Sequence, residues 1–260
     1  MANLVNIDGI QIAYSIAGEG PPVVLLHGWM CNRNFWRDQI EFLSIDHQVI
    51  ALDFRGHGDS EVPKDGYSLR QLALDVKLLI GRLNLSPSLV VGHSMGGMVA
   101  QQLMIDYPEH VSGLVLLATT STDFEQKLIS NQILLETHKS SFHSAFIKYF
   151  GYWFVTNSDP KLMKWISQQM LQTSEDVALN LIKDYSNIDF RSHLGDFNIP
   201  CLVIGGAEDL STPPVRSQEL AELICGARLE VISEVGHFVQ MERPCEVNRI
   251  LRIFLKDNKF

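Results

Sequence analysis

The chain has 260 residues, 46% hydrophobic and 20% charged, which suits a globular protein with a large core and excludes disordered, collagenous and coiled-coil classes. Its formal net charge is −9, and its longest basic cluster, Lys161 to Lys164, places only two charges on one turn. Nucleic-acid binding relies on clustered Lys and Arg to displace phosphate counterions, so that class is set aside.

In chain order, Leu4 to Ile7 and Ile10 to Ile16 flank Asp8-Gly9, the signature of a β-hairpin. Val23 to Leu26 is a continuous apolar run, as in a strand buried on both faces. Trp36, Ile40 and Leu43 follow helical spacing, and Val49 to Leu52 is the next strand. Ser68-Leu69-Arg70-Gln71 reads as a capping box, opening a helix with Leu69, Leu72, Val76, Leu79, Ile80 and Leu83 on one face. Strand Leu89 to Val91, helix Met95 to Tyr107 and strand Leu114 to Leu117 continue the alternation, with Pro108 ending the helix. This rhythm predicts an α/β fold with a doubly wound, mostly parallel sheet.

The rhythm breaks from 121 to 196, where only helical patterns occur. Phe142, Phe146, Tyr149, Phe150, Trp153 and Phe154 fall on one helical stripe. Alternation resumes with strand Cys201 to Ile204, helix Pro213 to Ile224, strand Leu229 to Ile232 and a last helix bearing Val247, Ile250, Leu251 and Phe254. The expected organisation is an α/β core from 1–120 and 197–260, interrupted by a helical insertion at 121–196.

No apolar run approaches the ~20 residues that span a bilayer, and Met1 to Ile10 lacks the basic and apolar regions of a signal peptide. Cys31, Cys201, Cys225 and Cys245 are scattered without a CxxC pair, which predicts free thiols in a reducing, cytoplasmic setting and no zinc site.

The sharpest local signal is Gly92-His93-Ser94-Met95-Gly96, a GxSxG between a buried strand and a helix. A nucleophile on such a sharp turn needs small neighbours two residues away on each side, and Gly92 and Gly96 supply them. Ser94 occupies the place of the middle glycine of a dinucleotide fingerprint, and no GK[ST] follows, so phosphate-cradling readings fail. A serine nucleophile needs a base and an orienting acid. His237, beside Gly236 on the loop after the last strand, is the expected base. Asp209, on the loop after the preceding strand, is the expected acid, with Glu208 as the local alternative. The backbone N–H groups of Trp29 and Met95 are the expected oxyanion donors; one such donor contributes ~2.7–4 kcal/mol to transition-state binding.

His27-Gly28-Trp29, Asp53 to Ser60, Gly92 to Gly97, Asp209 with Pro213, and Gly236-His237-Phe238 with Glu242 and Pro244 together resemble the α/β-hydrolase family, in its cap-bearing serine hydrolase branch. That branch includes carboxylesterases, perhydrolases, enol-lactonases and C–C bond hydrolases. The resemblance implies that 121–196 is a cap and that the Asp53 to Ser60 stretch is structural. Family members that act on epoxides or halides carry an Asp nucleophile, so Ser94 argues against both. Some members carry the acid after the strand preceding the cap, which makes Asp123 a second candidate.

The segment 121–196 holds eleven of the 23 aromatic residues. Most are expected to pin the cap to the core; Phe146, Tyr149, Trp153 and Trp165 are the candidates for binding an apolar acyl or aromatic group. The expected activity is hydrolysis of a small-molecule carboxylic ester without metal or organic cofactor, and without a nucleic-acid or membrane partner. Lactone, thioester and C–C bond hydrolysis and perhydrolysis would use the same three residues. A thioesterase acting on a carrier calls for a basic docking face, whereas 121–196 has seven Lys and Arg against nine Asp and Glu. A ligand receptor that keeps the three residues is the rival from outside the enzymes.

Overall fold

Alternating apolar runs and helical stripes fold into one eight-stranded sheet covered on both faces. β1 (Asn3–Ile7) and β2 (Ile10–Ala17) form the antiparallel hairpin, and Asp8 and Gly9 both take positive φ (50° and 86°), as a two-residue hairpin turn requires. β3 (Pro22–Leu26), β4 (Gln48–Leu52), β5 (Ser88–His93), β6 (Val111–Leu117), β7 (Cys201–Gly206) and β8 (Arg228–Ile232) run parallel to one another, in the order β1-β2-β4-β3-β5-β6-β7-β8. β2 joins β4 antiparallel. The computed structural model describes residues 2–85, 87–122, 133, 136–137, 139–155, 157–185 and 187–260.

Successive side chains in these strands point to opposite faces, and the two faces carry separate cores. Val23, Leu25, Val49, Ala51, Leu89 and Val91 pack with α1 (Arg37–Leu43) and the C-terminal helix. Val24, Leu26, Ile50, Leu52 and Val90 pack with α2 (Leu69–Arg82) and α3 (Met95–Asp106). The continuous apolar runs thus follow from burial on both faces. Burying one leucine side chain stabilises by ~1.5–3 kcal/mol, so the sheet is a rigid base for its loops.

Between β6 and β7 lie α4 (Phe142–Phe150), α5 (Pro160–Met170), α6 (Glu175–Tyr185) and α7 (Arg191–Leu194). Among the described residues the one β contact of this segment is an isolated bridge, Thr122 to Asp189. Its buried side chains, including Phe146, Ile166, Val177 and Leu181, join the same cluster as Trp29 and Phe238 on the loops above the sheet and Met95 at the start of α3. α8 (Pro214–Leu223), α9 (Val239–Glu242) and α10 (Pro244–Asn258) complete the chain. Among the described residues no helix is long and apolar enough to cross a membrane, and all four cysteines are free.

Two local expectations are corrected. Ser68 Oγ accepts the Gln71 N–H at 3.2 Å, but the Gln71 side chain turns to Asp75 Oδ1 at 3.1 Å instead of closing the capping box. Asp184 of α6 caps a different group of the helix start, accepting the Leu69 N–H at 2.7 Å. The aromatic stripe 142–154 is not one helix: α4 ends at Phe150, a 3-10 turn spans Gly151–Trp153, and Phe154 is extended (φ −125°, ψ 156°). A tertiary contact outweighs helical continuation there, because the Trp153 carbonyl accepts the His237 N–H at 2.8 Å.

Candidate active site

β5 delivers Ser94 to a turn that only a crowded backbone can hold. Ser94 has φ 53° and ψ −120°, a conformation that is strained for a residue with a side chain. The turn is fixed from outside: Ser94 N–H donates to Leu117 O at 2.9 Å, and Thr119 Oγ1–H donates to Ser94 O at 2.7 Å. A Cβ on Gly92 would collide with the Gly96 carbonyl, and one on Gly96 with the Leu26 carbonyl. The glycines two residues to either side therefore permit the close approach that raises Ser94 above the sheet edge. Ser94 stays partly exposed although the strand behind it is buried.

The loops after β7 and β8 bring Asp209 and His237 to this serine. His237 Nε2 lies 2.9 Å from Ser94 Oγ, and His237 Nδ1 lies 2.8 Å from Asp209 Oδ2. Both side chains are buried, at 4% and 1% exposure, so the His237–Asp209 bond is shielded from water. Of the two neighbouring carboxylates, Asp209 reaches the imidazole, while Glu208 is exposed. Asp123 lies outside the described residues. An acceptor on Nδ1 favours the tautomer with its proton there, leaving Nε2 bare toward the serine hydroxyl. His93 Nε2 adds a 2.9 Å bond to the His237 carbonyl and steadies the loop behind the ring.

The loop after β3 closes the other side. Cys31 N–H bonds to Gly28 O at 3.1 Å, and Met30 has φ 57°, so Gly28 to Cys31 is a tight turn with a left-handed third residue. A Cβ on Gly28 would sit 3.2 Å from Ser94 Cβ, which sets this loop directly against the serine. Met95 is the first residue of α3, so its N–H has no acceptor within the helix. His27 anchors the turn from below: Nε2 accepts the Phe54 N–H at 3.0 Å, which assigns the proton to Nδ1, 2.8 Å from Gly28 O. Burial lowers His27 to about 4 and His57 to about 3, so both are neutral supports at pH 7. The Asp53 to Ser60 stretch is tied up in the same scaffold. Asp53 accepts the Arg33 and Asp59 N–H groups, and Arg55 makes a two-pronged bond to Asp75 at 2.7 Å on each arm.

The four candidate substrate contacts separate into two groups. Trp153 faces Trp29 (6.1 Å between ring centres), Phe146 (5.7 Å) and Phe238 (6.5 Å), and Phe238 in turn lies 5.7 Å from His237. Phe146 is fully buried behind Trp153. Trp165 instead packs on Phe35 at 5.2 Å and under the Arg37 guanidinium, and Tyr149 stacks on the exposed Tyr152 at 6.0 Å.

Three functional contacts escape sequence reasoning. The Trp29 indole N–H donates to Ala178 O of α6 at 2.9 Å, and the Trp153 carbonyl holds the His237 loop. Thr212, three residues beyond Asp209, donates its hydroxyl to Asp209 Oδ2 at 2.6 Å. The first two join residues more than 80 positions apart and leave no local pattern. The third had a signal in Asp209 followed by Thr212 before a proline pair, the spacing of a side-chain-capped turn.

Similarity to known proteins agrees with this fold. A family model described as the alpha/beta hydrolase fold matches residues 21–146 and 148–244. The 3-oxoadipate enol-lactonase 2 of Acinetobacter baylyi is 28% identical over 252 residues, covering 95% of this chain and 94% of that protein. Among solved structures, an esterase from Exiguobacterium antarcticum superposes with a TM-score of 0.90 at 26% identity, covering 98% of this chain and all of that one. The enol-lactonase from Burkholderia xenovorans LB400 gives 0.91 at 25% identity, covering 98% of this chain and all of that one.

Proposed function

The chain belongs to the α/β-hydrolase fold family, and from that premise we propose that it is a serine hydrolase that cleaves carboxylic esters through an acyl-enzyme. The observation that carries the reading is the unbroken line from Ser94 Oγ to His237 Nε2 and from His237 Nδ1 to Asp209 Oδ2. Ser94 Oγ attacks the ester carbonyl while His237 Nε2 takes its proton. The imidazolium that forms lies against the Asp209 carboxylate, which holds the ring and balances its charge. The Trp29 and Met95 N–H groups receive the tetrahedral oxyanion. His237 returns the proton to the leaving alkoxide. It then takes one from the water that attacks the acyl carbonyl and hands it to Ser94 Oγ as the acyl–oxygen bond breaks, releasing the carboxylic acid and restoring the serine. Every step is proton transfer and acyl transfer, so the chemistry needs no metal or organic cofactor.

The helical segment 121–196 serves as the cap. Trp153, backed by Phe146, forms the apolar wall beside Trp29 and Phe238, and favours an apolar acyl or aromatic group. Trp165 adjoins this wall through Phe35, and Tyr149 stacks on Tyr152. A cyclic ester is the second reading, favoured by two relatives named as enol-lactonases. Ser94 speaks against epoxide opening by a carboxylate nucleophile.

A panel of p-nitrophenyl esters of graded acyl length, with several lactones, tests the proposal. Many turnovers per chain in the parent and none in Ser94→Ala are expected. One acyl release followed by silence would favour a receptor, and undiminished turnover in Ser94→Ala would overturn the mechanism.

A further inference from the structure

We propose that Thr212 is a positioning residue of this site: its hydroxyl holds Asp209 Oδ2 in line with His237 and thereby sets the ring for proton transfer. The inference rests on the serine-hydrolase reading above. Asp209 presents two oxygens to four donors. Oδ1 accepts the Ser211 N–H at 2.7 Å and the Thr212 N–H at 2.9 Å. Those are main-chain bonds, which almost any residue at 211 or 212 would supply. Oδ2 receives His237 Nδ1 at 2.8 Å and the Thr212 hydroxyl at 2.6 Å. Thr212 is 1% exposed, so water does not readily replace its hydroxyl.

A carboxylate attached at one oxygen still rotates, because its terminal torsion is broad. With Oδ1 alone pinned, Oδ2 swings away from the imidazole. The Thr212 hydroxyl pins the second oxygen and removes that freedom. It also settles where protons sit. Its single proton goes to Oδ2, so the shared partner of Oδ2 on the imidazole side is the Nδ1–H. The Thr212 oxygen itself lies 3.3 Å from Nδ1, a second and weaker acceptor for that proton. The imidazolium formed during the reaction is therefore held by two oxygens. Pro213 follows directly and restricts the Thr212 backbone, and the β-branched side chain restricts its rotation. The hydroxyl is presented by a stiff residue.

Thr212→Val keeps the shape and the N–H and removes only the hydroxyl; Thr212→Ser keeps the hydroxyl. With an ester substrate, kcat of the Val variant is expected to fall ten- to a hundredfold, the rate equivalent of one charge-assisted hydrogen bond. KM should stay within about twofold, because Thr212 is not placed to touch substrate, and the Ser variant should recover most of kcat. A readout free of substrate accompanies this: the low-field proton resonance of His237 Nδ1–H in the resting protein. It should shift or broaden in Thr212→Val and return in Thr212→Ser. Thr212→Ala gives the same two readouts should the Val variant fold poorly. Wild-type kcat and an unmoved resonance in Thr212→Val would overturn the proposal, as would a Ser variant as impaired as the Val variant. If no ester or lactone is turned over by the parent, the serine-hydrolase reading fails, while the resonance still decides the role of Thr212.

Discussion

The sheet and the helical segment 121–196 are ordered by different means. The strands are placed by register: β3, β5 and β6 are buried throughout their central positions and pair in parallel, residue against residue, along Val23–Leu26 with Leu89–Gly92 and Leu89–His93 with Gly113–Leu117. The helical segment has no such register: it packs its apolar side chains onto the core and is fixed in place by single bonds reaching it from loops of the core. Asn32 reaches Gln169 at 3.0 Å, the Trp29 indole reaches Ala178 O at 2.9 Å, and His237 N–H reaches Trp153 O at 2.8 Å. All three start from the two loops that bear candidate chemistry, those carrying Trp29 and His237. The segment that contributes none of Ser94, Asp209 and His237 nevertheless holds two of the loops around them. On the proposed reading, substrate choice and positioning of the reacting groups are tied together, so changes made for one are expected to disturb the other.

The comparison can be broken first at the core side. Asp209→Asn leaves shape and most hydrogen bonds in place but favours the wrong imidazole tautomer; kcat should fall about 10⁴-fold, read by steady-state hydrolysis. Asp123→Asn should leave the rate near that of the parent, and the reverse ranking would move the acid to the loop after β6.

Acid tests the core in a second way. His27 and His57 have folded values lowered by burial to about 4 and about 3 from an ordinary 6.5. The unfolded chain therefore binds protons first as pH falls. Their contribution to stability is complete above pH 6.5 and is lost on acidification toward the folded values. By pH 5 the loss is about 2 kcal/mol for each residue, measurable as a falling denaturant midpoint. A midpoint unchanged between pH 7 and pH 5 would contradict the neutral, buried state of both rings.

The smallest expected effect probes the link between the two regions. Trp29→Phe keeps an aromatic ring against Trp153 and removes the indole N–H. With Ala178 O left without that donor, the loop loosens, and kcat should drop about tenfold with a modest change in KM. If only KM moves, the helical segment governs binding alone and the coupling argued above is wrong.

Most of the sheet is readable from the chain because a strand buried on both faces must be a short apolar run, as Val23 to Leu26 and Leu114 to Leu117 are. Ser94 is readable for a related reason: its strained turn demands Gly92 and Gly96, and strain leaves a mark in sequence. Asp209 and His237 follow from their places after the last two parallel strands. The helical segment resists the same reading. Its aromatics keep helical spacing through Phe154, yet the helix stops at Phe150 because a carbonyl is needed elsewhere. The open capping box at Ser68 is another such case, since Gln71 turns to Asp75 and the helix start gains a long-range cap at Leu69 from Asp184. Contacts made by single long-range bonds carry no period, and only the folded chain displays them.

The central claim is that Ser94 becomes covalently acylated. Rapid mixing with excess p-nitrophenyl ester, acid quenching and peptide mass mapping test it most directly. The account predicts an added acyl mass on the peptide containing Ser94, absent in Ser94→Ala. Sustained ester turnover with an unmodified Ser94 peptide, or with the acyl group on another residue, would contradict it.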